Sequence, residues 1–368
     1  FPNGILQPVG SSLGVNTFLG QTISFYNPHL QNQYSERWTF DIQQQLPYDT
    51  VLELGYLGNH VVHLTKDFTT TSNFNFGALP EQYLSRSPVR DTALIALYNT
   101  AVPNPFYGLL PGTNLNSQTT PLVNLLLPFP EFAGGVTELL MNNGSSYYHS
   151  FNVKLQKRVS HGVQFVLNYD HSKLMEYLGY LNAGVLAPER RVSADDRPNN
   201  FVFSTTYDLP FGKGMRYMSH VKPIVSGVLG NWSLAWIYTF HSGAPLSWGN
   251  VIYNGGDLHY DAHNVNHAFD TTPFNIVSSQ QLQYNYRTFP TQFNNLRADA
   301  TNNFDLTITK NFPIVERLRL QFRGDIFNVL NHPLFAAPNL SPTSSSFGTI
   351  TSTTNQPRVI QMALRLTF

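Results

Sequence analysis

Apolar and polar residues alternate along most of this chain with a period of two. In 303–312, Phe304, Leu306, Ile308 and Phe312 fall on one face of an extended segment, and Asp305, Thr307, Thr309 and Asn311 on the other. In 317–327, Leu318, Leu320, Phe322 and Ile326 oppose Arg317, Arg319, Gln321, Arg323 and Asp325. The stretch 150–159 sets Phe151, Val153, Leu155 and Val159 against Asn152, Lys154, Gln156 and Arg158. In 231–240, Trp232, Leu234, Trp236, Tyr238 and Phe240 share a face. Such alternation predicts strands with two different environments on their two sides. The same pattern marks 35–46, 50–64, 163–177, 199–209 and 357–368. Nine strands are therefore predicted, each long enough for the roughly 9–11 residues that cross a bilayer at a tilt.

The connections sort by parity. PYD (47–49), SHG (160–162) and PIVE (313–316) are tight, 210–230 is intermediate, and 66–145, 178–196, 244–298 and 331–354 are long. Outer-membrane barrels alternate short periplasmic turns with extended outer loops in this way, whereas a soluble sandwich has no reason to. Lys157 and Lys310 interrupt apolar faces, each close to a short turn. At a membrane rim a lysine stem can lie in lipid while its ammonium snorkels to water.

Composition agrees with that picture. Charged residues make up 12% of the chain, about half the usual soluble share. They balance at 22 basic against 22 acidic, so no field is expected to draw nucleic acid or acidic membrane surfaces. Absence of cysteine removes disulfides, thiolate metal sites and thiol nucleophiles. No stretch approaches the roughly 18 apolar residues of a membrane helix.

Direction counting adds an expectation. If the last strand descends to the periplasm, so does the one near 35–46, and residues 1–33 become the tail of an outer loop. An odd strand count leaves two edges that lipid does not tolerate, so 34–368 is expected to be the C-terminal part of a larger barrel. The chain opens FPNG without an initiator Met or signal peptide, so its start is expected to have been removed.

YSERWTFDIQQQLPYDTVLELGYLGNHVVHL resembles a strand pair of TonB-dependent outer-membrane receptors, in the Oar-like branch carrying an N-terminal carboxypeptidase-regulatory-like domain. SYYHSFNVKLQKRVSHGVQFVLNYDHSK, DDRPNNFVFSTTYDLPFGKGMRY, GNWSLAWIYTFHSGAPL, NNFDLTITKNFPIVERLRLQFRGDIFNVLNHPLF and PRVIQMALRLTF continue the resemblance in order, from residue 30 on. It implies a 22-stranded barrel with a plugged lumen, of which these would be the last nine strands. It also implies nutrient uptake driven by an inner-membrane energy-coupling complex, through a plug and TonB box lying upstream. The closing strand is similar to the signal read by barrel assembly machinery: Gln361, Leu364, Leu366 and Phe368 fit, while Ala363 stands where glycine is usual.

Candidate chemistry is sparse. His259, His263 and His267 recur every four residues beside Asp257 and Asp261, a zinc- or copper-like spacing on a helix. The glycines and asparagines around them favour a polar loop instead, so neither a metal nor any other cofactor is expected. Asp195, Asp196 and Arg197 offer a carboxylate pair, read as a solvated strand entrance or a loop salt bridge. FGKGM (211–215) lacks phosphate-loop spacing, and GxSxG and HExxH are absent. No enzyme is expected. Arg319, Arg323, Asp325 and Arg365 should project into the lumen, either lining a substrate path or, the favoured use, pairing structurally, as Asp325 with Arg365 across neighbouring strands. Tyr98, Phe106, Tyr107, Phe129 and Phe132 either contact an extracellular ligand or pack the loop itself. The leading expectation is the wall and loops of a TonB-dependent receptor in the cell outer membrane, contacting lipid and an unknown ligand. The alternatives are an outer-membrane adhesin without energy coupling and a soluble secreted β-rich enzyme or sugar-binding module.

Overall fold

Alternation becomes pairing in the computed structural model, which describes residues 12–65, 73–132, 135–212, 215–315 and 318–368. Nine strands run side by side in chain order through one antiparallel sheet. They are β1 (Tyr34–Leu46), β2 (Thr50–Leu64), β3 (Gly144–Ser160), β4 (Val163–Tyr180), β5 (Asn199–Asp208), β6 (Trp232–His241), β7 (Thr301–Val315), β8 (Leu318–Phe327) and β9 (Val359–Thr367). A tenth, Pro188–Val192, pairs beside β4 off this path. Among the described residues β1 and β9 each pair on one side only, so the sheet does not close.

Register keeps the two faces in phase from strand to strand. One row reads Leu52, Leu155, Leu167, Phe203, Tyr238, Phe304 across six strands. The opposite face carries Asn152, Asp170, Asn200, His241 and Thr301 in another row. A slip of one residue anywhere would turn a whole strand over, so the alternation specifies the register. The polar face is the concave one. It bounds a cavity of about 660 Å³ whose walls come from β3 to β8, among them Gln156, Gln164, Thr206, Asp305, Thr307, Arg323 and Asp325.

Turn chemistry supports the tight hairpins. His161 (φ 55°) and Gly162 (φ 79°) form a two-residue connection with both residues left-handed, which suits the right-handed twist of paired strands. Tyr48 and Asp49 are left-handed as well, at φ 63° and 57°. The connection at 316–317 lies outside the described residues, as do Arg317, residues 1–11 of the expected loop tail, and part of FGKGM.

Burial is inverted relative to a water-soluble protein. Every buried hydrophobic side chain among the described residues lies outside the nine strands, in the long connections 65–143, 181–198, 242–300 and 328–358. The largest cluster gathers Leu246, Trp248, Ala268, Phe269, Phe274, Leu296 and Ile350. Apolar strand residues, by contrast, remain half-buried or exposed, including Phe40, Phe151, Met362 and Leu364. Water-driven collapse has built a core at one end of the sheet and left the outer face for another apolar medium.

Candidate functional site

The long connections interlock into a cap. Arg90 donates through Nη1 to the Gln281 carbonyl (2.7 Å) and through Nη2 to Gln283 Oε1 (2.8 Å). Asn285 Nδ2 donates to the carbonyls of Ser87 and Val89, at 2.9 and 3.0 Å. Thr291 donates its backbone N–H and hydroxyl to Glu189, both at 2.5 Å. Within the cap, Asp91 caps the short helix Thr92–Tyr98 by accepting from the Leu94 N–H at 3.0 Å. That bond and one from Ser85 hold its carboxyl below the usual range.

A cavity of about 720 Å³ opens in this cap, within the size range of small-molecule sites. Aromatic rings dominate its walls: Trp248, Tyr253, Phe274, Tyr286, Phe289 and Phe293, with Asp257 and His259 among the polar lining. Trp248 stacks on Phe274 with centroids 5.2 Å apart and planes 5° apart, and meets Phe269 edge-on at 5.2 Å. Its indole Nε1 is buried without a hydrogen-bond partner. Arg287 braces the wall, donating to the carbonyls of Trp248 (2.8 Å), Phe289 (3.0 Å) and Pro290 (3.0 Å). Burial lowers the Arg287 pKa, opposed by the nearby Glu189 charge. The arrangement suits an apolar or aromatic guest. Sequence reasoning missed this pocket by looking to 98–132; the signal was the aromatic density of 248–293.

The anticipated candidates fall elsewhere. Tyr98 is buried, donates to the Tyr83 carbonyl (2.6 Å) and meets Tyr284 edge-on, so it packs the loop. The stretch holding His259, His263 and His267 is not helical. His259 lines the pocket, while His263 faces Asp299 (3.2 Å) and Asp261 (3.5 Å). His267 is exposed, its backbone N–H held by Asn264. No group of three or more metal-ligating side chains occurs among the described residues.

Of the two readings of Asp196, the structure forms the loop salt bridge, with Arg297 rather than the flanking Arg197, and not the solvated entrance. Asp196 is 1% exposed, and its carboxylate accepts from the Leu174 N–H (2.6 Å) and Arg297 Nη2 (2.5 Å), with Lys173 Nζ at 3.5 Å. Lys310 departs from expectation. Rather than reaching water, it is buried under the connection before β6, donates to the Gly230 carbonyl, and lies over the rings of Trp232 and Phe312. Lys157 does turn to the rim, donating to the Tyr48 carbonyl (2.5 Å) and Ser160 Oγ (2.6 Å).

On the concave face, Arg323 Nε pairs with Asp325 in the same strand at 2.9 Å, and Thr307 Oγ1 donates to Asp325 Oδ1 at 2.7 Å. The expected pair of Asp325 with Arg365 is not formed, because register sets Asp325 opposite Gln361 and Arg365 opposite Gln321. Arg319 stands opposite Thr367 on that face. Met362, Leu364 and Leu366 stand opposite Gly324, Phe322 and Leu320, on the apolar side.

Tyr260, packed against the loop core, presents a buried hydroxyl with no partner. Burial, reinforced by Asp299 and Asp261, pushes its pKa from 10.0 up to about 12. A phenol that ionises later when folded supports the cap fully below pH 10 and loses that support as pH rises toward 12. Tyr260→Phe should therefore flatten the loss of cap stability over that interval in alkaline melts. At neutral pH it should be neutral or stabilising, since it removes an unpaired polar group. An unchanged alkaline slope would refute the assignment.

No curated protein matches this chain. Among solved structures, the outer membrane transporter YddB from Escherichia coli is similar at 10% identity and TM-score 0.42, over 94% of this chain and 34% of that one. The pyoverdine outer membrane receptor FpvA from Pseudomonas aeruginosa PAO1 gives 10% identity and TM-score 0.35, over 91% and 30%. The FrpB iron transporter from Neisseria meningitidis gives 9% and 0.37, over 93% and 32%. The chain thus spans about a third of the length of these proteins. A family model described as outer membrane beta barrel domain matches residues 1–361. That match places the chain in the outer membrane, as barrel wall rather than enzyme: it belongs to the outer membrane beta-barrel domain family.

Proposed function

We propose that this chain supplies the wall and ligand-facing loops of a TonB-dependent receptor of the Oar-like kind, taking up a nutrient across the outer membrane. The inverted burial carries the reading: the apolar outer face needs lipid, and the hydrophobic core sits in loops at one end. On this reading the long-loop end faces outside and the aromatic pocket makes the first contact with ligand. The short-turn end faces the periplasm and the inner-membrane energy-coupling complex. The edges at β1 and β9 are closed by further strands, because unpaired backbone groups are costly in lipid. Arg319, Arg323, Asp325 and Arg365 then line the path below the cap.

The full-length protein extracted from outer membranes should run at different positions on unheated and boiled gels, and a protease-sensitive monomer in the soluble fraction would sink the reading. Gln361, Leu364, Leu366 and Phe368 serve as the pattern read by barrel assembly machinery. Deleting Phe368 should lower the heat-shifting band several-fold, measured in membrane fractions against the unaltered protein. Equal amounts would remove the assembly role while leaving the barrel intact.

A further inference from the structure

The connection between Asp208 and Trp232 contains a helix packed the wrong way round for water. Helix Pro223–Leu229 exposes Ile224, Val225, Val228 and Leu229, Ile224 to 82%. At helical spacing these four form one stripe. Its inward side is made of small groups instead. A Cβ built on Gly212 would meet Gly230 Cα at 2.8 Å and Ser226 Oγ at 3.6 Å, so the helix is docked by close backbone approach. Phe211, Met215 and Tyr217 add exposed apolar surface beside the stripe.

Charge in this segment has one sign. Lys213, Arg216 and Lys222 occur here, and no Asp or Glu stands between Asp208 and Asp257. The helix also joins the apolar outer face directly: Trp232 Nε1 donates to the Val228 carbonyl at 3.0 Å, and Lys310 Nζ donates to the Gly230 carbonyl. A lysine at a helix C-terminus favours the dipole, and seven residues would not hold a helix unaided. We propose that residues 215–231 form a membrane-surface anchor, seating the 224–229 stripe at the acyl boundary while Arg216 and Lys222 meet anionic phospholipid headgroups. The inference rests on the sheet's apolar face meeting lipid, because that face and the stripe are continuous. Amphipathic interfacial helices bind by this combination of buried apolar area and attraction to anionic lipid.

The test uses full-length protein in vesicles, with any cysteine outside this chain replaced by serine, since the chain itself has none. A polarity-sensitive fluorophore is placed by Ile224→Cys, by Leu234→Cys on the lipid-facing strand surface, or by Ser341→Cys in a long loop. The label at 224 should emit to the blue and be quenched by headgroup-region spin-labelled lipid, more strongly when phosphatidylglycerol is present than in phosphatidylcholine alone. Arg216→Gln with Lys222→Gln should abolish that difference. The proposal is overturned if the label at 224 is reached by aqueous iodide as readily as the label at 341 while the label at 234 stays lipid-quenched. Quenching at 224 that is indifferent to phosphatidylglycerol overturns the headgroup contact. If the label at 234 is not quenched by lipid either, the underlying membrane orientation has failed along with the anchor.

Discussion

Asp196→Ala is expected to cost the loop cap about 3–5 kcal/mol, the range for removing one partner of a buried ion pair. The loss exceeds that of an ordinary ion pair because three groups converge on one carboxylate that water does not reach. The Arg297 guanidinium also donates to the carbonyls of Asp196 and Gly243, tying the 181–198 connection to the start of 242–300. Without the carboxylate it is left mostly buried and short of its counter-charge. The matching change at Glu81, whose partner Arg86 is exposed, should leave the cleavage rate close to the parent's, because solvent screens that pair. Limited proteolysis of the folded protein is the direct measurement. Asp196→Ala should open both connections to cleavage while the heat-shifted barrel band persists, because β4, which supplies Leu174 and Lys173, keeps its pairing with β3 and β5 without the carboxylate. Asp196→Asn, which preserves the bond from Leu174, should fall between the two. Cleavage rates equal to the parent's would show that the cap is held without this network.

The sheet was legible because two solvents filter alternate residues. A strand between lipid and a polar lumen must write its orientation every second position, and rows such as Leu52 to Phe304 keep that phase through five pairings. The His-Gly turn was equally plain, since left-handed backbone at a hairpin needs such residues. The loops were not legible, because their packing has no period. Asp196 sits in a run that reads equally as solvated or ion-paired, and its partner Arg297 lies 101 residues away. Lys310 was placed correctly near a rim, but what covers it belongs to a different connection. Asp325 and Arg365 share a face, yet a strand offset that alternation cannot fix separates them. The aromatic pocket was hidden for the same reason: its rings gain meaning only once the 242–300 connection folds back on itself.

Trp248 provides the sharpest way to probe that pocket. Trp248→Ala should cost about 3–5 kcal/mol, as expected when a large buried aromatic is deleted and its site collapses only partly. The vacated volume lies between Phe274, stacked at 5.2 Å, and Phe269, so both rings lose a neighbour at once. Trp248→Phe isolates a second quantity. A phenyl ring retains most of the stacking surface but lacks the indole N–H, which is buried and unpaired. Leaving a donor unsatisfied is itself costly, so removing it offsets part of the lost packing. Thermal unfolding of the cap should therefore rank the parent and Trp248→Phe close together and Trp248→Ala far below. If Trp248→Phe falls as low as Trp248→Ala, the N–H must already hold a partner inside the cap.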